Sequence, residues 1–347
     1  MAKILSPTLA NLRRLAGVLA RGGLVAVPTE TVYGLAADAL NVRACRSIFR
    51  VKGRPTNDPL IVHVPSLAAA EKIAEIPVAA RRLARAFWPG PLTLVLRKRA
   101  CVPDLVTSGR PTVAVRNPAH PVMRRLLRLC GRPLAAPSAN PFGYISPTTA
   151  EHVQHGLGRR LEFILDGGPC RVGVESTIVD LSIPGRPRIL RVGGLDARAI
   201  SRVLQCEVEV ANRPKRGRQA QLAPGMLSRH YSPRTPLRLH AKLPAALVRR
   251  GGADEGFLFF APPRGGKPIA QAGPVVAILS PRGSLTAAAR HLFARLHALD
   301  QMGLRQIHAE LAPERGAGVA INDRLRRAAA QRPGRAKNQP AGRSARR

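Results

Sequence analysis

The stretch from Gly22 to Val64, GGLVAVPTETVYGLAADALNVRACRSIFRVKGRPTNDPLIVHV, decides how this chain is read. Its apolar run Leu24 to Val27, bounded by glycines and Pro28, predicts a short buried strand. Where that strand ends, Thr29, Glu30, Thr31 and Tyr33 crowd hydroxyls and a carboxylate into a loop closed by Gly34. Polar groups at a strand end are where α/β proteins usually hold ligands. Asn41 then caps a helix with apolar positions at Val42, Cys45, Ile48 and Phe49. Next, Lys52-Gly53-Arg54-Pro55 places two cations two residues apart, and in an extended segment both heads point the same way. A second strand, Leu60 to Val64, carries His63 in an apolar run. A solvated KGR loop and a core histidine are the bland readings of these pieces.

Outward from this stretch, residues 8 to 21 read as an amphipathic helix, and Leu67 to Ile76 and Val78 to Phe87 as alanine-rich helices ending at Trp88-Pro89-Gly90-Pro91. The WPGPLTLVL run is a turn feeding a strand. Residues Pro111 to Arg116 alternate as a strand, with Thr112, Ala114 and Arg116 on one face. Arg116 there suggests an anion partner, with a structural salt bridge as the alternative. After a helix from His120 to Leu129 comes LAAPSANP, in which extended backbone would turn Ser138 and Asn140 to one side; an ordinary Ser/Asn turn is the alternative. VESTIVD puts Ser176 at the mouth of another strand, and Arg191 follows among glycines.

From Ala211 to Pro236 the composition shifts to Pro, Gly, Arg and Gln, as in a linker, but Pro224-Gly225-Met226 and His230-Tyr231-Ser232-Pro233 interrupt it. Strand-like Leu237 to Leu239, Phe257 to Phe260 and Val275 to Leu279 then alternate with helical stretches such as Ser284 to Leu299, a small parallel α/β domain. The expected division is 1–206 for the first domain, 207–236 for the linker, 237–330 for the second domain, and 331–347 for a disordered tail with six basic and no acidic residues.

A chain of 347 residues with 45% hydrophobic content supports two globular domains. Five scattered cysteines without C-x-x-C spacing fit free thiols and argue against a zinc site or a disulfide framework. No run of 18 apolar residues and no signal-like N-terminus is present, which predicts a cytoplasmic protein without a membrane span. The net charge of +36 would attract RNA or nucleotide phosphates, although 48 arginines against 8 lysines also fit a GC-rich genome. Aromatic content of 3% argues against a dedicated single-strand binder.

The chain lacks G-x-x-x-x-G-K-[ST], since Gly266-Lys267 runs into Pro268, and no G-x-G-x-x-G follows a strand. No metal set is expected either, because His152 and His155 have no third ligand nearby and fit a solvated helix face. A nucleotide would therefore be held by side chains. Lys52, Arg54, Arg116 and Arg191 offer charge, and Thr112, Ser138, Asn140, Ser146 and Ser176 offer hydrogen bonds.

PTETVYGLAADA followed by KGRP and PLIVHV, the Lys52/Arg54 and Ser138/Asn140 pairs, VESTIVD and HYSP together resemble the YrdC-like family, whose long two-domain members are threonylcarbamoyl-AMP synthases. The resemblance covers nearly the whole chain. It implies an α/β fold: a YrdC-like twisted-sheet domain followed by a smaller, Rossmann-like α/β domain. It also implies condensation of L-threonine, bicarbonate and ATP to threonylcarbamoyl-AMP and pyrophosphate. Magnesium would accompany the ATP, a transferase complex would act downstream, and the basic surface could contact tRNA. Thr31, His63, Arg116, the backbone at Ala136, and Ser176 would hold threonine or its carbamate. Lys52, Arg54, Asp58, Thr112, Ser138, Asn140, Ser146, Arg191 and Tyr231 would hold ATP, with Lys52 and Arg54 stabilising phosphate charge. Asp58 departs from the family's usual asparagine, and an anion there needs magnesium or an arginine to offset it. A carbamoyl-transferring relative and a non-catalytic RNA-binding protein are the two other classes. The HYSP linker and second domain speak against the first, and the side-chain set speaks against the second.

Overall fold

The computed structural model describes residues 1–211, 230–263 and 274–330. Pro224-Gly225-Met226, Gly266-Lys267-Pro268 and the tail from Gln331 lie outside the described residues.

Among the described residues, the first domain is built on one mixed sheet of eleven strands. Their order across the sheet is Lys3–Leu5, Phe163–Leu165, Val25–Val27, Gly34–Asp38, Leu134–Ala135, Ile61–His63, Thr112–Arg116, Leu92–Arg97, Thr177–Asp180, Arg188–Arg191 and Glu209–Val210. The central strands are apolar on both faces because helices cover them, so Val25–Val27 and Ile61–His63 are buried at every position. Ile61–His63 runs parallel to Thr112–Arg116 with Ile61 beside Ala114 and His63 beside Arg116. Leu92–Arg97 pairs antiparallel on the other side, bringing Thr93 opposite Arg116.

In the opening stretch two readings change. The chain after Tyr33 is a strand, Gly34–Asp38, paired antiparallel with Val25–Val27 and Leu134–Ala135, where no strand was expected. Lys52-Gly53-Arg54 is not extended either. Lys52 is the last residue of helix Val42–Lys52, whose first turn is capped by the Asn41 side chain, and Gly53 closes it in the left-handed conformation at φ 64°. That φ suits glycine, and it turns the chain so that Arg54 leaves in a new direction.

The second domain has four parallel strands in the order Leu237–His240, Gln306–Glu310, Glu255–Phe259 and Val275–Ile278. Helix Leu285–Gln301 packs Leu292, Phe293 and Leu296 against Val32, Ile145 and Val174 of the first domain in one continuous apolar cluster. Gly173 is required at this seam: its φ is +77°, and a Cβ there would lie 2.4 Å from the Arg290 Cα. His152, expected on a solvated face, instead stacks on His297 with ring centres 4.1 Å apart. Among the described residues no helix is long and apolar enough to cross a membrane.

Candidate active site

At the C-terminal ends of Ile61–His63 and Thr112–Arg116, a cavity of about 40 Å³ is walled by Arg54, His63, Arg116, Ala136, Ser138, Glu175, Arg191 and Tyr231, with Ile61, Pro137 and His230. Three guanidinium groups from three separate segments thus converge on one chamber. Strand ends are where a sheet leaves side chains free to do this.

Each arginine is fixed from behind. Arg116 donates to Thr31 Oγ1 at 2.9 Å and to Glu30 Oε1 at 2.7 Å, while Glu30 Oε2 accepts the Ala119 N–H at 3.0 Å. The expected salt bridge and the expected anion-facing arginine are therefore one residue. Arg54 donates to the carbonyl of Pro59 at 2.7 Å and pairs with Asp58 Oδ1 at 2.9 Å. Asp58 sits behind that arginine and off the cavity wall, so its negative charge is offset within the protein. Arg191 donates to the Ser176 carbonyl and hydroxyl, each at 3.1 Å, and the Ser176 hydroxyl lies 2.7 Å from Thr93 Oγ1. Guanidinium groups held on carbonyl and carboxylate oxygens keep their planar forks aimed in fixed directions.

Lys52, 3% exposed, does not reach the wall. Its ammonium donates to the carbonyls of Ser138 and Asn140 and so shapes the PSAN turn. Burial, and then the nearby Arg54, push its pKa well below the ordinary lysine value. Ser138 reaches the cavity; Asn140 turns away and donates to the carbonyls of Pro141 and Tyr144. Ser146 is fully buried and donates to Glu175 Oε1 at 2.6 Å. Thr112 stands on the Arg116 face of its strand but four residues earlier, about 13 Å away at strand rise. The Ala136 N–H is taken by the Ile61 carbonyl at 3.0 Å.

His63 is held neutral: burial, reinforced by Arg116, lowers its pKa to about 3. His230 is likewise pushed well below the ordinary histidine value by burial and by Arg54 and Lys52. Tyr231, at a positive φ of 65°, lies 4.1 Å from the His230 ring and 5.5 Å from Phe293, so it lines the chamber and packs on the second domain at once.

Glu175, the residue before Ser176 in VESTIVD, is the charged wall residue that sequence reasoning passed over. Its pKa is lowered: burial works to raise it, but Arg324 and Arg191 outweigh burial. The motif was a sufficient signal for it. Arg324, from the second domain, had none.

The arrangement presents several positive charges to an anion. It offers neutral imidazoles, hydroxyls and one masked carboxylate, with no nucleophile activated for covalent attack. Among the described residues no cluster of three potential metal ligands exists. Asp58 and Glu175 are each engaged by an arginine.

Residues 17–193 match the family model described as "Telomere recombination", that of Sua5, YciO and YrdC, and residues 195–330 match "Threonylcarbamoyl-AMP synthase, C-terminal domain". The threonylcarbamoyl-AMP synthase of Pyrococcus abyssi is 42% identical over 328 residues, 93% of this chain and 95% of the relative. That of Bacillus subtilis is 38% identical over 328 residues, 91% of this chain and 92% of the relative. The crystal structure of P. abyssi Sua5 complexed with L-threonine superposes with a TM-score of 0.84 at 38% identity, covering 95% of this chain and 97% of that one. Escherichia coli YciO, at 22% identity and a TM-score of 0.52, covers 58% of this chain and shares the fold of the first domain. With both models matched and full-length relatives this similar, the chain belongs to the Sua5/YciO/YrdC family in its long form, which carries the additional C-terminal domain.

Proposed function

We propose that this protein condenses L-threonine, bicarbonate and ATP into threonylcarbamoyl-AMP and pyrophosphate, supplying the activated group for threonylcarbamoyladenosine in tRNA. The observation that carries this reading is the convergence of Arg54, Arg116 and Arg191 on one chamber beside neutral His63. The threonine complex of P. abyssi Sua5 supports threonine as the amine substrate.

The neutral amine of threonine attacks the carbon of bicarbonate, water leaves, and a carbamate forms. A carbamate oxygen then attacks the α-phosphorus, the bond to the bridging oxygen breaks, and pyrophosphate leaves with its electron pair. The step transfers an adenylyl group, which makes the enzyme a nucleotidyltransferase. Arg116, oriented by Thr31 and Glu30, would take the threonine carboxylate or the carbamate, with His63, Ser176 and the backbone at Ala136 completing that end. Arg54, Arg191, Ser138 and Tyr231 would meet the nucleotide. Lys52, Asp58, Asn140 and Ser146 would serve by holding those groups in place, and Thr112 would meet a more distant part of ATP. Holding two anions together against their repulsion, in a site closed to water, supplies most of what the step requires. A cytoplasmic location, and delivery of the product to a tRNA-modifying transferase complex, accompany this reading, and the basic surface would serve any contact with tRNA.

Two observations disfavour the other classes. A carbamoyltransferase has no use for a second domain that reaches the site, and an RNA-binding protein has no use for buried, converging arginines. The test is pyrophosphate release by purified protein with ATP, magnesium, bicarbonate and L-threonine. Release that requires both threonine and bicarbonate is expected, with serine a poorer substrate; equal release without threonine would overturn the reading.

A further inference from the structure

The second domain places one side chain beneath the chamber. Arg324, on helix Ala317–Ala328, is 0% exposed. Its Nε lies 3.0 Å from Glu175 Oε2, and one terminal nitrogen donates to the Val192 carbonyl at 2.6 Å and to Asp323 Oδ2 at 3.1 Å. The guanidinium carbon stands 5.5 Å from the centre of the Tyr231 ring. Glu175 and Tyr231 belong to the cavity wall, and Val192 follows the wall residue Arg191. A single side chain from one domain therefore touches three parts of the other side of the site. Among the described residues, its second terminal nitrogen is buried with no hydrogen-bond partner.

Glu175 poses a problem for a chamber that takes anions. It faces the cavity, it is ionised, and its other oxygen is already occupied by Ser146. An unmasked carboxylate in a partly desolvated wall would repel phosphate and carbamate strongly. Ser146 supplies a hydrogen bond but no charge, whereas Arg324 supplies charge from the side away from the cavity, adding to that of Arg191.

We propose that Arg324 is a positioning residue through which the second domain sets the charge of the site: it neutralises Glu175, braces Tyr231, and thereby keeps this wall receptive to an anionic nucleotide. The inference rests on the reading of the cavity as a nucleotide site. It gives the second domain a part in substrate binding without direct contact between that domain and substrate.

The experiment measures binding of a non-hydrolysable ATP analogue with magnesium by titration calorimetry on the full chain, alongside thermal unfolding. Arg324→Met, which keeps volume and removes charge, is expected to weaken binding about tenfold or more, because Glu175 is then unmasked. Adding Glu175→Gln to it is expected to restore binding to within about threefold of the parent, a coupling that two independent structural lesions would not show. Arg324→Lys falls between, since a point charge cannot span Glu175 and Val192 together. Should Arg324→Met fail to fold, Glu175→Gln alone decides: tighter analogue binding supports the proposal, and unchanged or weaker binding overturns it. Unchanged binding in a folded Arg324→Met, or a double variant no better than the single one, also overturns it. If the parent protein does not bind the analogue at all, the nucleotide reading itself fails, and this inference falls with it.

Discussion

Lys52, at the end of its helix, binds the backbone carbonyls of Ser138 and Asn140, which lie 86 and 88 residues further along the chain. A lysine with the sequence signature of a phosphate ligand thus acts as an internal clamp on the turn that presents Ser138 to the cavity.

Lys52→Ala should therefore lower both activity and stability. Threonine-dependent pyrophosphate release is expected to drop by about tenfold or more, and leaving the two carbonyls without their donor should cost about 1–3 kcal/mol. Denaturant unfolding read beside turnover checks this. Full stability with lost activity would instead mean that the ammonium moves to the phosphates.

Arg54→Ala should be more damaging than its place in a polar segment suggests, because it removes one half of a buried ion pair with Asp58. Breaking a buried ion pair from one side costs about 3–5 kcal/mol. Arg54→Met with Asp58→Asn should recover most of that stability without recovering turnover. Unfolding midpoints and pyrophosphate release measured on the single and double variants separate the two contributions.

Acid should loosen the domain seam before it titrates the carboxylates. Burial holds His152 near a pKa of about 4 and His297 near about 3, against 6.5 in the unfolded chain. The unfolded state therefore binds protons that the native state refuses, so this stability is complete above pH 6.5 and falls as pH drops toward those native values. The expected result is an unfolding midpoint that declines as pH falls from 6.5 to 4.5, with a shallower decline in His297→Phe. An equal slope in that variant would remove the seam from the account.

Tyr231→Ala should waste intermediates. The cavity, about 40 Å³, is far smaller than the ~300–1,000 Å³ usual for ligand pockets, and Tyr231 with His230 forms part of its wall. Opening that wall admits water to a carbamate and a mixed anhydride. Pyrophosphate released per threonylcarbamoyl-AMP captured should rise while ATP affinity falls; both unchanged would leave the segment a tether.

The strands most legible in the sequence were those with uninterrupted apolar runs or clean alternation, such as Val25–Val27, Ile61–His63 and Thr112–Arg116. Gly34–Asp38 escaped notice because Gly, Ala and Asp are weak strand formers, and its pairing on both sides decides the matter. The site's cations were legible as residues but not as contacts. Nothing local distinguishes Lys52, which turns inward, from Arg54, which reaches the wall; the difference arises at Gly53, where the helix stops. Arg324 sits in INDRLRR, which reads like any basic helix face, and its Val192 partner lies 132 residues away.

The pairing of His63 with Arg116 on adjacent parallel strands fixes one dimension of the chamber in whole steps. Their separation is the spacing between neighbouring strands, about 4.8 Å, and it cannot be tuned by choice of rotamer or loop length. A single-residue insertion in either strand would turn one of the two to the opposite face, and a two-residue insertion would restore the face but shift the partner by nearly 7 Å along the strand. Drift in this part of the chain is thus confined to substitution, while length variation is pushed into the connections beyond the strand ends.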